Sequence, residues 1–241
     1  MTETIIIVGS DSAAGRAIAA HYSASTLIHV NDELHSIYVL KARIDDIKKE
    51  HATIDRVFFC HYIQPANTLT LTDEQFEHTF AYNYLSRHVI SYGLGASIQK
   101  SVVSIHPRST DDTVFIRDLE LKNAYKKSTV ATHIQRLVDL WLIHFHEKHA
   151  VLTIGYDAGN VKEEASFMTS MFAKSAADAL VPLWPLLEQP AAVILANKDA
   201  QIDTSARSYH PGKAYELFME TNRKLVVAQH VRTVLDAKEN N

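Results

Sequence analysis

The stretch TIIIVGSDSAAGRAIAAHY, from Thr4 to Tyr22, decides how this chain is read. Ile5 to Val8 are apolar and mostly β-branched, as suits a short strand buried on both faces. Gly9 ends that run, and Ser10, Asp11 and Ser12 form a small polar cluster that reads as a tight turn. From Ala13 the residues favour helix, with Gly15 in the first turn. Strand, glycine-containing turn and helix in this order point free backbone N–H groups at a phosphate.

The rest of the chain gives this unit a setting. The 241 residues suit one α/β domain with a sizeable core, and 46% hydrophobic content indicates a folded chain. No apolar run approaches the roughly 20 residues of a membrane helix. Met1-Thr2-Glu3 leads directly into the first strand, so no leader is expected. Cys60 is the single cysteine, which excludes an intramolecular disulfide and suits the cytoplasm. A net charge of −4 offers no basic field for nucleic acid.

Apolar runs at 5–8, 26–30, 36–40, 57–60, 102–105, 151–154 and 193–196 read as seven strands. Only a handful of residues separate 26–30 from 36–40, too few for a parallel crossover helix. A short loop is expected there, with a short charged helix at 45–51. A long helix is expected over 71–99, with Thr72 and Gln75 as a capping box. Another covers 125–149, with a broad apolar surface of Val130, Ile134, Leu137, Leu140, Trp141 and Phe145. Segments 174–187 and 213–236 supply a last crossover helix and a C-terminal helix.

Several of these segments resemble the short-chain dehydrogenase/reductase family, over 4–227. Gly9, Ala13 and Gly15 stand at the spacing of its turn, which has glycine at all three positions. FEHTFAYNYLSRHVI resembles its central helix, and Asn83 falls on its asparagine. Tyr125 and Ser128 match its tyrosine–lysine helix, and Gly159 and Val161 match its Pro-Gly-x-Val stretch. PGKAYELFMETNRKLV loosely resembles the C-terminal helix of the retinol-dehydrogenase-like branch. The resemblance implies a single Rossmann-like, doubly wound α/β domain over 1–241, with helices on both faces of a mostly parallel sheet.

It also implies NAD or NADP as cofactor. Gly9, Ser10, Ser12, Ala14 and Gly15 would face the pyrophosphate, Cys60 the crevice, and Gly159 and Val161 the nicotinamide. Asn31 takes the position of the ribose-binding acid and Asp32 follows it. The charge of Asp32 would repel a 2′-phosphate, which favours NAD. Asn31-Asp32 reads equally well as an ordinary turn pair. Tyr125 would donate the proton, and Asn83 would kink its helix and hold a relay water. Family members commonly pair through the two long helices, so a homo-oligomer through 71–99 and 125–149 is expected.

The chemical positions depart from the family. Ala13 brings a Cβ toward the pyrophosphate. Phe59, Cys60, His61 and Tyr62 replace a small Asn-Asn-Ala-Gly stretch, so Phe59 and Tyr62 should crowd the crevice. Cys60 and His61 are neighbours on a strand and point to opposite faces, which argues against a nucleophilic pair. His106 and Pro107 stand where the family places serine; Ser109 or His106 could substitute. Thr129 replaces the lysine, and Lys126 and Lys127 lie on other helix faces. His146 and His149 have chelating spacing but no further ligand in sight, so no metal site is expected.

Two readings follow. One is a non-catalytic member of the family, a pseudoenzyme serving as nucleotide sensor or protein-interaction scaffold, with dinucleotide binding weak or lost. The other is an oxidoreductase that reduces a small carbonyl compound with Tyr125 as proton donor.

Overall fold

The computed structural model describes residues 2–109, 113–159, 161, 174–197, 201–202 and 210–239. β1 (Thr4–Val8) is the strand expected, fully buried from Ile5 onward. It is flanked by β2 (Thr26–Val30) and β3 (Ile54–Phe59), parallel to both. β4 (Ile98–Ile105), β5 (Leu152–Asp157) and β6 (Val193–Asn197) continue the parallel sheet. The two-residue β7 (Gln201–Ile202) closes its edge antiparallel. The order β2-β1-β3-β4-β5-β6-β7 reverses direction at β1, so the topological switch point lies between β1 and β3.

Helices cover both faces. α1 (Ala13–His21) and α6 (Ala176–Leu180), extended by a 3₁₀ segment Val181–Glu188, pack on one side. The other side carries α2 (Ile37–Glu50), α4 (Ser86–Leu94), α5 (Lys127–His149) and α7 (Pro211–Glu239). A short α3 (His78–Phe80) runs through a π-helical turn, Ala81–Leu85, into α4.

The segment expected as a third strand is helical. Ser36 caps α2, accepting from Val39 N, and the Glu74 carboxylate accepts from Ile37 N and Tyr38 N. Ile37, Leu40, Ile44 and Ile47 then bury one stripe at helical spacing. A crossover helix is therefore present between β2 and β3, and β7 makes the seventh strand. The central helix also starts later than expected. Thr72 and Gln75 close a turn, with Gln75 N donating to Thr72 O and Phe76 N to Thr72 Oγ1. The cap is Glu77, which accepts from Phe80 N at 2.6 Å. The rod ends at Leu94, where Gly95 turns the chain at φ 47°.

α7 lies across the outer side of this helical layer. Ala214, Leu217 and Thr221 are buried against it, and Tyr84 Oη bonds Thr221 Oγ1 at 2.8 Å. Residues 86–91 and 137–145 are buried throughout. Much of the apolar surface of 71–99 and 125–149, the segments expected to pair two copies, packs within the chain, while 126–128 and 147–148 stay exposed. No helix among the described residues is long and apolar enough to cross a membrane.

Candidate functional site

The carboxyl ends of β1, β3, β4 and β5 meet where a doubly wound fold places its ligand. Here much of the first turn is already engaged. Gly9 N donates to Val30 O, Ser10 N to Asn31 Oδ1, Ser12 N to Gly9 O and Gly15 N to Ser12 Oγ. Asn31 clasps Ser10 through both ends of its amide, so it holds the turn where the resemblance gave it to a ribose. Asp32 is exposed beside it. Gly15 has glycine's usual reason: a Cβ there would stand 2.4 Å from Gly9 O. Gly9 adopts φ +77°, and a Cβ on it would meet His61 at 2.7–2.9 Å. His61 therefore fills the space beside the turn at the switch point. Ala13 and Ala14 are buried in the first turn of α1.

The strand ends carry a dry polar network that the sequence reading missed. Its centre is Arg87, fully buried on α4. Its Nε donates to Ser104 Oγ at 2.9 Å, its Nη2 to His61 O at 2.6 Å, and its Nη1 to Asn83 O and His61 Nε2. All of these acceptors are neutral. Among the described residues no carboxylate lies within ion-pair distance of Arg87. Burial pulls its guanidinium down to about 9, leaving it charged at neutral pH. Because arginine only donates, His61 Nε2 accepts and the ring proton is assigned to Nδ1. Burial and the adjacent Arg87 hold His61 well below the ordinary histidine range, hence neutral.

Asn83 sits in the π-helical turn and grips Ile63 twice, accepting from its N at 2.9 Å and donating to its O at 2.8 Å. Arg87 occupies the main-chain carbonyl of Asn83, the residue the resemblance expected to hold a relay water.

From Ser104 the network continues into β4 and α5. Ser104 Oγ is 3.1 Å from His106 Nδ1, and His106 Nε2 is 3.4 Å from Asp139 Oδ1. Arg108 grips Asp139 with two nitrogens at 2.7 and 3.0 Å, and Arg136 Nη1 approaches it at 3.4 Å. Serine, histidine and aspartate thus adjoin as in a hydrolase triad, but Ser104 is fully buried and already accepts from Arg87. It has no path to a substrate, so the arrangement is not nucleophilic. His106 N donates to Tyr156 O, extending the sheet, and burial lowers its imidazole pKa. Its expected role as an acid finds no exposed proton. Ser109 is half-buried in the loop beyond.

Tyr125 lies two residues before α5 and apart from this network. Its hydroxyl donates to Ala66 O at 3.2 Å. Partial burial and the nearby Glu77 carboxylate raise its pKa, the reverse of what a lysine would do. Lys127 reaches Asn67 Oδ1, and Thr129 is half-buried. Tyr125 and Asn83 are not hydrogen-bonded to each other: Tyr125 donates to Ala66 O, while the Asn83 amide is engaged with Ile63.

Cys60 is a buried core residue whose thiol is pushed up to about 12 by burial, so it is inert. Phe59 does not crowd the crevice: it lies within the core, edge-on to Trp141 at 5.4 Å. Tyr62 reaches α5, accepting from Gln135 Nε2 at 3.3 Å. Gly159 N is taken by Asp157 Oδ1, and the other oxygen of Asp157 accepts from Arg108 N. Val161 makes an isolated parallel bridge with Lys174. His146 Nδ1 is 2.8 Å from Val151 O, and among the described residues no three His, Cys, Asp or Glu side chains cluster as metal ligands. A cavity of about 210 Å³ lies to one side, lined by Glu33, His35, Tyr38, Asp73, Glu74 and their neighbours. That is below the roughly 300–1,000 Å³ of small-molecule sites.

Ser104 and Asp139 left a trace in the sequence: each is a polar residue inside an apolar run, VVSI and LVDLWL, whereas Arg87 stands between Ser86 and His88.

No protein-family model and no curated protein matches the sequence. Solved structures do match. An uncharacterised protein from Mycobacterium paratuberculosis superposes with a TM-score of 0.71 at 14% identity, covering 92% of each chain. NADPH-bound carbonyl reductase from chicken fatty liver gives 0.60 at 13% identity, over 84% of this chain and 98% of that one. A short-chain dehydrogenase/reductase from Burkholderia multivorans with bound NADP gives 0.58 at 13%, over 83% and 97%. In strand order and helix placement the chain carries the fold of the short-chain dehydrogenase/reductases, with a buried arginine at its strand ends.

Proposed function

We propose that this protein is a non-catalytic member of that fold, a pseudoenzyme that works as a protein-interaction scaffold in the cytoplasm. The observation that carries the reading is Arg87, whose guanidinium occupies Asn83 O, His61 and Ser104 together. Asn83, which the resemblance gave to the proton relay, is spent on holding a buried cation. Tyr125 adds to this. A free phenol ionises near 10, and its surroundings move it further from working pH.

Neighbours of this fold are described with NADPH or NADP bound, so a nicotinamide dinucleotide is the ligand class to test. The residues at the turn do not fit it well. Four N–H groups there are engaged internally, and His61 stands beside Gly9. Binding is expected to be weak or absent, with NAD favoured over NADP because Asp32 stands at the ribose end.

A homo-oligomer belongs to this reading. With much of α4 and α5 covered, its surface moves to the outer stripe of α7, where Tyr215, Met219 and Val226 are half exposed or more. They recur at helical spacing.

The test is calorimetric titration with NAD, NADH, NADP and NADPH, followed by turnover of aldehydes, ketones and quinones. No saturable binding up to about 1 mM and no turnover is the expected result. Robust turnover that Tyr125→Phe abolishes would establish the oxidoreductase instead. Light scattering of the intact chain against Val226→Glu checks the oligomer.

A further inference from the structure

The seat of α7 is built from histidines. Phe218 of α7 stacks on His144 at 4.2 Å and 18°, and packs against Tyr92 at 4.9 Å and His88 at 5.7 Å. His88 Nε2 is 3.3 Å from Asn222 Oδ1, and His144 Nδ1 is 2.6 Å from Tyr92 Oη. His88 and His144 are both buried.

The charged groups around this seat share one sign. Lys148 of α5 places Nζ 4.6 Å from the Phe218 ring and 5.2 Å from that of Tyr92. His149, also on α5, faces Tyr92 at 6.0 Å. From α4 the neighbours are His88 and Tyr92. From α7 they are Tyr215, which faces His144 at 5.9 Å, and Asn222. The carboxylates nearby are committed elsewhere or stand in solvent. Glu220 pairs with Arg223, Glu120 with Lys122 and Lys224, and Glu147 and Glu216 are exposed. A proton placed on His88 or His144 therefore meets Lys148 and another imidazole, with no acid to balance it.

We propose that the α4–α5–α7 contact is an acid-sensitive latch, which holds α7 when His88 and His144 are neutral and releases it when they take up protons. Release uncovers the apolar faces of α4 and α5. The direction agrees with the titration of the two rings: burial, with the neighbouring cations, pulls His88 down to about 3 and His144 to about 4.

Hydrogen exchange on the intact chain between pH 7.5 and 5, corrected for intrinsic rates, tests this. Two protons taken up on opening lower α7 protection by up to about a hundredfold per pH unit below about 6.5. Amides of β4 should keep more of their protection. Lys148→Glu, a surface change that supplies the missing acid, should move the α7 transition to lower pH. His88→Gln with His144→Gln should flatten it. Protection of α7 that is independent of pH, that falls only in step with β4, or that ignores Lys148→Glu would overturn the proposal.

Discussion

The two ends of the sheet carry two ion clusters of opposite design. At the amino end, Lys100 Nζ bridges Glu3 and Asp55 at 2.6 and 2.9 Å, and Arg56 lies near Glu3 and Glu188. Each cation there has carboxylates, and most of the groups touch solvent. At the carboxyl end Arg87 is dry and meets only neutral acceptors, while Asp139 sits among Arg108, Arg136 and His106. Exposed pairs contribute little, whereas breaking a buried set leaves charge without compensation. The comparison teaches that the end where a doubly wound fold places its ligand is here held by a buried polar network, and the opposite end by paired charges nearer to solvent.

The sharpest way to break that comparison is Asp139→Asn. It removes a carboxylate that Arg108 and Arg136 share and should cost about 3–5 kcal/mol in urea unfolding. A loss below about 1 kcal/mol would make the two ends equivalent. Acid comes next. His61 and His106 are buried at the carboxyl end with pKa values lowered, so the unfolded chain binds more protons than the folded one. Their contribution is complete above about 6.5 and is lost as pH falls toward the folded values. Asp55 at the other end is also lowered, held by Thr4 N and Lys100, and its contribution fails only below its ordinary value of 3.8. Urea midpoints at pH 7, 5 and 3.5 should therefore show the histidine phase first. The smallest effect belongs to Lys100→Ala, expected within about 0–1 kcal/mol by the same measurement.

The sequence revealed the architecture better than the centre. β1, its turn and α1 were readable because periodicity, glycine and an N-cap all agree over a short stretch. SIYVL taken alone looks like a strand, because Ile37, Tyr38 and Val39 are all strand-favouring residues. Its stripe continues through Ile44 and Ile47, and the second cap comes from Glu74, far along the chain. Asn83 was recognised from its neighbours in sequence. Arg87 was not, because its meaning depends on His61 and Ser104, 26 and 17 residues away. A charged side chain is read as solvated until its partners are known. Ser104 and Asp139, set within apolar runs, were the available signal.

The place of α7 in the chain has a consequence during synthesis. It follows every strand of the sheet, so α4 and α5 are synthesised before their cover exists. At about 5–20 residues per second, the 29 residues of α7 take on the order of seconds to emerge. Through that interval a nascent chain presents the aromatic seat of Tyr92, Phe145 and His144 to its surroundings. A chaperone that recognises exposed apolar helices has its opening then, and the window closes when Phe218 arrives.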